Sequence, residues 1–536
     1  MSYAHLYATA VMRRGRVPME PADFVPNWQD RPRKGKFFPH AEHFPLPTGH
    51  TQAAATTQRG LTGPRGDGTF DLALLGAMLQ DSYGLTGRRL AVQANSDLPA
   101  LPHYTQANWS RGTASGGGLY PIGIHWISGP AAPLTPGVYH YATGHHTMQR
   151  LLTGDVSAQV RAAVGDDALL GDTDQFLVLG VNFWQNAFKY NSFSYHVVTM
   201  DIGALLQTWR IWARAHGLHI SAALWFDEER LGRLLGFQPE QEGVFAVVPL
   251  PWQPAATGAP TPPAGPADTA APARVRIADE ERSQRVLTFK TVQRVHAATA
   301  RHSARRPAPA ALAAALTSSA PARTVAKKVL LPRPQPLATG IGQALRARRS
   351  SFGRFSAQPP LRAEQLSTVL AAAASAAHLD SDVELPDGPA LTRLYVFANH
   401  VDDVPAGTYA YDHEAGSLEL ISTEAPGAFL QEAYFLSNYN LEQAGAVIMV
   451  AAPTHAVLDA VGDRGLRLVN AAVGAASQAF YTASAAAGLG CGVALGFDCV
   501  AYAEKLGLAE TGEVPLLIMM VGHERPHPAD FQYQIV

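Results

Sequence analysis

VVTMDIGALLQTWRIWARAHGLHISAALWFDEERLGRLLGF, residues 197–237, is matched further along the chain by LVNAAVGAASQAFYTASAAAGLGCGVALGFDCVAYAEKLGL, residues 468–508. Gly203 pairs with Gly474, Gln207 with Gln478 and Gly217 with Gly488, at a constant spacing of 271 positions (203 to 474, 207 to 478, 217 to 488). Phe226-Asp227 pairs with Phe497-Asp498, and Gly236 with Gly507, at the same spacing. Upstream, Gly137-Val138-Tyr139-His140-Tyr141 pairs with Gly407-Thr408-Tyr409-Ala410-Tyr411. A spacing near half of the 536 residues, held over so long a stretch, marks an internal duplication. Two copies of one fold are expected.

Within each copy the periodicity is mixed. From Val197 to His216 apolar residues recur at helical spacing, and Gly217 is a natural C-cap; Leu468 to Ala487 followed by Gly488 reads the same way. Short apolar runs beginning at Phe176, Val244, Ala446 and Pro515 read as strands. The expected fold class is α+β, in two tandem domains. Residues 1–250 form the first with an N-terminal extension, and residues 339–536 the second. Residues 251–338 read as a Pro/Ala-rich linker that carries a charged, exposed helix from Ile277, with the arginines from Arg301 to Arg306 solvated.

Composition removes several classes of function. With 42 basic against 44 acidic side chains and a net charge of -2, the chain is not built to coat nucleic acid or an anionic membrane. Cys491 and Cys499 are the only cysteines, which excludes a disulfide scaffold and a Cys-rich zinc site. There is no signal-peptide layout and no apolar run long enough to span a bilayer, so a cytoplasmic protein is expected. His140, His145 and His146 read as a hairpin turn rather than a metal site, since no carboxylate or cysteine completes the set. Trp109, Trp126, Trp209 and Trp212 read as core, with Trp184 near the candidate catalytic residues.

The differences between the copies point to chemistry. LRARRSSFGRF opens only the second copy, with Arg348, Arg349, Ser350 and Arg354 as forked cations and hydroxyls suited to phosphate oxygens. Gly488-Leu489-Gly490-Cys491-Gly492 replaces Gly217-Leu218-His219-Ile220-Ser221, and closely spaced glycines let backbone N–H groups approach an anion. A basic turn and a plain helix-end loop would look the same. Only the first copy carries Ser115-Gly116-Gly117-Gly118, which lets backbone lie flat against a planar ligand or simply makes a tight turn. Only the first copy has Lys189-Tyr190 among aromatic residues, where desolvation would favour a neutral amine able to act as a base. A snorkelling surface lysine is the competing reading.

These elements together resemble the nitroreductase-like flavoproteins, and among them the SagB/McbC type that oxidises azolines in thiazole/oxazole-modified peptides. The resemblance rests on ASGGGLYP, on Lys189-Tyr190 followed by Ser194-Tyr195-His196, on RRSSFGRF, and on GLGCGVALGFD with Val521-Gly522-His523. It covers most of both copies and leaves the first hundred residues and the linker poorly covered. It implies an intramolecular pseudo-dimer with FMN between the copies. Arg348, Arg349, Ser350, Arg354, Gly488, Gly490 and Arg525 would lie on the phosphate side, and Ser115, Gly116 and Gly117 against the ring. Lys189 and Tyr190 would be catalytic, in an FMN-dependent azoline dehydrogenase. A modified precursor peptide would be the substrate and cyclodehydratases the candidate partners. His196 stands where relatives commonly carry arginine, which bears on substrate or acceptor preference. Two other readings stay open: an NAD(P)H-dependent reductase of nitro, quinone or enone compounds, and a flavin-free peptide-binding pseudoenzyme.

Overall fold

Two 22-residue helices, α1 (Ser194–Ala215) and α2 (Gly465–Ala486), form along the matched stretches, starting and ending at equivalent positions. Both are buried on all sides, the first at every position but Arg214 and the second at every position but Ala485 and Ala486. They cross at the paired glycines. A methyl group on Gly203 would come within 1.8 Å of the Ala471 carbonyl oxygen, and one on Gly474 within 1.9 Å of the Met200 carbonyl oxygen. Asn470 Nδ2 donates to Thr199 Oγ1 at 2.9 Å beside this crossing. Residues 199 and 470, 200 and 471, and 203 and 474 all share the 271-residue spacing, so the contact is a reciprocal one.

The structure, a computed structural model, describes all residues except 50–53, 91–107, 166, 254–272, 319–326, 386–387, 527–531 and 536. Most of the Pro/Ala stretch expected as a linker from Pro251 lies outside the described residues.

Each long helix packs on its own antiparallel sheet. In the first half the strands are β1 (Glu42–Pro45), β2 (Ile122–Ser128), β3 (Gly137–Ala142), β4 (Thr147–Thr153), β5 (Gln175–Asn182) and β6 (Glu242–Pro249), in the order β1-β4-β3-β2-β5-β6. In the second half, β7 (Lys328–Leu330), β8 (Phe355–Ser356), β9 (Arg393–Ala398), β10 (Gly407–Asp412), β11 (Ser417–Ser422), β12 (Ala446–Ala452), β13 (Gly490–Ala494) and β14 (Val514–Glu524) form the other sheet. Its order is β8-β14-β12-β9-β10-β11-β7, with β13 also on β14. The two sheets repeat one order. Even β13 has a remnant in the first half, where Ala223 makes a single antiparallel bridge to Val247.

The repeated Phe-Asp and Gly pairs bound a short helix in each copy. Asp227 Oδ1 accepts from Arg230 N at 2.9 Å, and Asp498 Oδ1 from Val500 N at 3.0 Å, each capping an eight-residue helix, Glu228–Leu235 and Cys499–Leu506. Gly236 and Gly507 end those helices with left-handed φ of +75° and +65°.

A buried ion cluster joins the halves. Glu228 of the first accepts from Arg464 Nη1 at 2.7 Å and Arg467 Nη1 at 2.9 Å of the second. Burial opposes ionisation, but the two guanidinium groups outweigh it and hold the Glu228 carboxyl down at about 2. Removing one partner of such a pair typically costs about 3–5 kcal/mol.

The region from Ile277 departs from the expected exposed helix. Residues 273–289 are not helical, and the helix Lys290–Ala300 buries Val292, Val295, His296 and Thr299. Thr299 Oγ1 pairs with Tyr195 OH at 2.6 Å and its carbonyl accepts from Arg464 Nη1 at 3.1 Å, so the segment completes the ion cluster. Nor is Arg306 solvated: its Nε donates to Asp382 Oδ2 at 2.9 Å. Trp109, expected in the core, is 44% exposed. Among the described residues no helix is long and apolar enough to cross a membrane.

Alanine at Gly203 or Gly474 should force the crossing apart and destabilise the protein by about 1–3 kcal/mol. Alanine at Gly232, which sits inside a helix with open space around its α-carbon, should instead stabilise by about 0.5–1 kcal/mol. Denaturant unfolding of the three variants checks this; parental stability for the first two would mean the helices do not meet so closely.

Candidate active site

A cleft of about 530 Å³ opens between the halves. The first half contributes Ser115, Gly116, Gly117, Lys189, Tyr190 and Asp201; the second contributes Arg348, Arg349, Ser350, Tyr439, Tyr481 and Val493. Volume and mixed lining suit a small-molecule or cofactor site.

The Ser-Gly loop is held by a residue that sequence reasoning missed. Asp201 lies on α1, two positions before the crossing glycine. Its Oδ2 accepts from Ser115 Oγ at 2.6 Å and its Oδ1 from Gly116 N at 2.8 Å. Ser115 Oγ in turn accepts from Tyr120 N at 2.9 Å. Burial raises the Asp201 carboxyl to about 7, only partly offset by these two donors, and among the described residues no arginine or lysine pairs with it. At position 472, the equivalent of 201, the second copy has alanine, and that asymmetry is the signal sequence comparison offered.

Lys189 and Tyr190 end a short helix, Trp184–Tyr190, and turn into the cleft. A methyl group on Gly117, where φ is +64°, would lie 2.6 Å from Tyr190 OH and 2.8 Å from Lys189 Nζ. At that left-handed φ any other side chain would be strained and would displace the ends of these two. The N-terminal region, which carries no motif, braces this turn. Tyr7 OH donates to the Ser192 carbonyl at 2.8 Å, Asn191 Nδ2 donates to the Pro21 carbonyl at 3.3 Å, and the Trp28 ring lies 5.9 Å from Lys189 Nζ. Asn191, Tyr120 and Phe352 all hold positive φ (42°, 55° and 49°). Such backbone costs about 1–3 kcal/mol per residue and concentrates at functional sites; Tyr120 and Phe352 both line the cleft.

The opposite wall comes from the arginine-serine segment. Arg348 reaches across the halves, donating from Nε to the Gly112 carbonyl at 2.8 Å and from Nη2 to the Arg111 carbonyl at 3.0 Å. Ser350 Oγ pairs with Tyr481 OH at 2.8 Å, whose phenol burial pushes up to about 12. Arg349 also lines the cleft and pairs with Glu524. Arg354 pairs with Glu524 at 3.1 Å but does not line the cleft; nor does Arg525, whose backbone N–H donates to the Arg354 carbonyl at 2.8 Å. The glycines expected as an anion loop also lie off the cleft. Gly488 is a left-handed helix end at φ +68°, and Gly490 sits in β13, where a methyl group would meet Glu524 Cγ at 2.6 Å. Cys491 is buried and raised to about 12 by burial.

Two other expected neighbours are set apart. His196 is buried against Phe193, kept neutral by burial with its pKa lowered to about 3, and does not line the cleft. Trp184 gives its indole N–H to Ser283 Oγ at 3.0 Å and lines a separate cavity. Among the described residues no group of three or more His, Cys, Asp or Glu is placed to hold a metal ion.

On the other face of the crossing, the equivalent place is filled. Arg210 stands where Tyr481 stands, 271 residues earlier. It donates to Asp380 Oδ2 at 2.7 Å, to the His378 carbonyl at 2.6 Å and to Gln207 Oε1 at 2.7 Å. Arg65 also pairs with Asp380, and the carboxyl is held below its usual range: burial opposes this, and Arg210 followed by Arg65 outweighs it. The protein's own carboxylate satisfies the cations of that face.

Residues 345–523 match the model of the Nitroreductase family, an oxidoreductase family whose members typically bind FMN. The second half therefore carries a nitroreductase-family domain. The whole chain has the fold of a crystal structure assigned to the nitroreductases from Anabaena variabilis, with a TM-score of 0.70 and 20% identity over 98% of this chain and 100% of that one. Two further structures give lower scores. One, also assigned to the nitroreductases, is from Ralstonia eutropha (TM-score 0.31, 24% identity, 41% of this chain and 95% of that one). The other is the E. coli microcin synthetase McbBCD complex with truncated pro-MccB17 bound (TM-score 0.28, 16% identity, 33% of this chain and 69% of that one). No curated protein matches the chain.

The Asp201 carboxyl makes stability depend on pH. Unfolded, it ionises near its ordinary 3.8; folded, near 7, so the unfolded chain binds fewer protons between these values. Its contribution to stability falls as pH rises from about 4 to about 7 and is flat on either side. Thermal unfolding of Asp201→Asn and the parent across pH 4–8 should show the variant gaining on the parent through that window. A constant difference would remove the raised carboxyl.

Proposed function

We propose that this chain is an FMN-dependent dehydrogenase that oxidises thiazoline or oxazoline rings of a ribosomally made peptide to the aromatic azoles. Two fused nitroreductase-like domains would build one working site. The observation that carries this reading is the meeting of Lys189 Nζ and Tyr190 OH at Gly117, in a cleft whose far wall is guanidinium and hydroxyl.

The residues fit the cofactor. Arg348, Arg349 and Ser350 offer charge-assisted and hydroxyl donors for a phosphate at one end. At the other, Gly116, Gly117 and Gly118 bring bare backbone to the cleft, and nothing lies within 4 Å of where a Gly118 side chain would begin. Val197, Met200 and Val493 supply apolar surface along the length.

Aromatising an azoline removes a proton from the ring α-carbon and a hydride from its neighbour. Bound FMN supplies the hydride acceptor. The chain must supply the base, and Lys189 Nζ or Tyr190 Oη takes the α-proton, the two lying within 2.8 Å of one point. Asp201 holds the Ser-Gly loop that carries Gly117, and so fixes the distance between that loop and the base pair. On the opposite face Asp380 pairs with both Arg210 and Arg65, whereas in the cleft Arg348 is held by backbone carbonyls, which favours a single site.

Lys189→Ala should retain flavin and lose azoline oxidation by about 10²–10⁴-fold, measured as loss of two hydrogens per ring by mass spectrometry of the peptide. Flavin released from the purified protein should amount to about one FMN per chain. Undiminished oxidation in the variant would remove Lys189 from the reaction. Rapid NAD(P)H-dependent reduction of quinones with azolines untouched would favour the reductase instead.

A further inference from the structure

Beside the composite cleft, and sharing Lys34, Trp109 and Tyr120 with it, lies a second cleft of about 450 Å³. Its charged lining residues are Arg33, Lys34, Lys36 and Arg111, with no aspartate or glutamate among the lining residues. Lys36 is neutralised by Glu242, and Arg33 gives Nη1 to the Glu280 carbonyl at 2.8 Å. Among the described residues Arg33, Lys34 and Arg111 have no carboxylate partner, and of these three Arg111 is the buried one.

Arg111 is 4% exposed. Among the described residues its one hydrogen-bond acceptor is neutral, the Lys34 carbonyl, 2.8 Å from Nη2, and its buried Nε has no partner. The guanidinium carbon lies 4.5 Å and 4.1 Å from the ring centroids of Tyr83 and Tyr120, which stabilises the cation without neutralising it. A buried charge left without a counter-charge is costly, so a structure that keeps one presents a field that an anion would satisfy. Lys34 sits at the rim. Its ammonium is lowered to about 8, by desolvation first and then by Arg111, Arg31 and Lys189; the side chain still reaches water, which screens part of that repulsion. Every charge acting on Lys34 there is positive.

We propose that this second cleft is a carboxylate subsite in which Arg111 and Lys34 hold an acidic side chain of the peptide whose reacting ring lies against Lys189. The class of ligand rests on the peptide reading above. The continuity of the two clefts through Lys34, Trp109 and Tyr120 makes one elongated ligand the natural occupant of both. A guanidinium fork and an ammonium match a single planar carboxylate in shape and charge.

Fluorescence anisotropy with a tetramethylrhodamine-labelled Gly-Glu repeat peptide and its Gly-Gln twin tests this on the full chain. The glutamate peptide should bind at least tenfold tighter, with the preference shrinking at high salt. Lys34→Gln and Arg111→Gln should each lose at least tenfold in affinity for it, and Arg230→Gln, an exposed change elsewhere, should lose none. Because Arg111 is buried, Lys34→Gln at the rim decides if the other variant fails to fold. Equal binding of the two peptides, or full binding by Lys34→Gln, would overturn the subsite. Displacement of the probe by pyrophosphate where citrate has no effect would make the ligand a phosphate and overturn the carboxylate assignment. A flavin-free protein that still prefers the glutamate peptide would keep the subsite and remove the dehydrogenase. A flavin-loaded, azoline-oxidising protein without the preference would do the reverse.

Discussion

Between α1 and α2 there is no room for a methyl group, and the working parts of the molecule are placed by that contact. Gly203 lies against the Ala471 carbonyl and Gly474 against that of Met200. Asp201, two positions from Gly203, grips the Ser-Gly loop. Gln478, one turn beyond Gly474, accepts from Ala114 N at 2.9 Å and donates to the Gly112 carbonyl at 3.2 Å. Ser477 and Tyr481 then face the cleft from the same helix. A wider crossing would move the two walls apart together, because each is anchored within a turn of it.

Three buried charged groups show how partnership, more than burial, decides ionisation. Glu228 meets two arginines and is held near 2. Asp201 meets only a hydroxyl and an amide and rises to about 7. Arg111 meets a carbonyl and two aromatic rings. The first is a joint between the halves, and its charge is settled internally. The other two line the clefts.

The repeat made the architecture readable, because the matched residues carry backbone duties that any copy of the fold must meet. Gly203 and Gly474 allow the crossing, Asp227 and Asp498 cap helices, and Gly217, Gly236, Gly488 and Gly507 adopt left-handed ends. The site was legible only in outline. Ser115, Gly116, Gly117, Lys189, Tyr190, Arg348, Arg349 and Ser350 gather in one cleft, while Arg354, Gly488, Gly490 and Arg525 stand outside it. Glycine spacing cannot distinguish an anion loop from a helix end followed by a closely packed strand, since both need a missing Cβ. Asp201 was marked only by its replacement with Ala472 at the matched position, and nothing in a linear sequence marks Arg111 as a buried charge. The charge density of the segment from Ile277 reads as solvent-bound, yet its valines are buried and His296 and Thr299 reach the ion cluster.

Asp380 has a consequence that lies in the connectivity of the chain. In an assembly of two identical subunits every residue appears twice, and a carboxylate that filled one cleft would fill the other. Here one chain carries both sheets, and position 380 occurs once. One face can be sealed by an internal salt link while its counterpart stays open, and the sealed face contributes rigidity where a second ligand would have contributed it. A single chain that carries two sheets of one strand order can in this way have a front and a back.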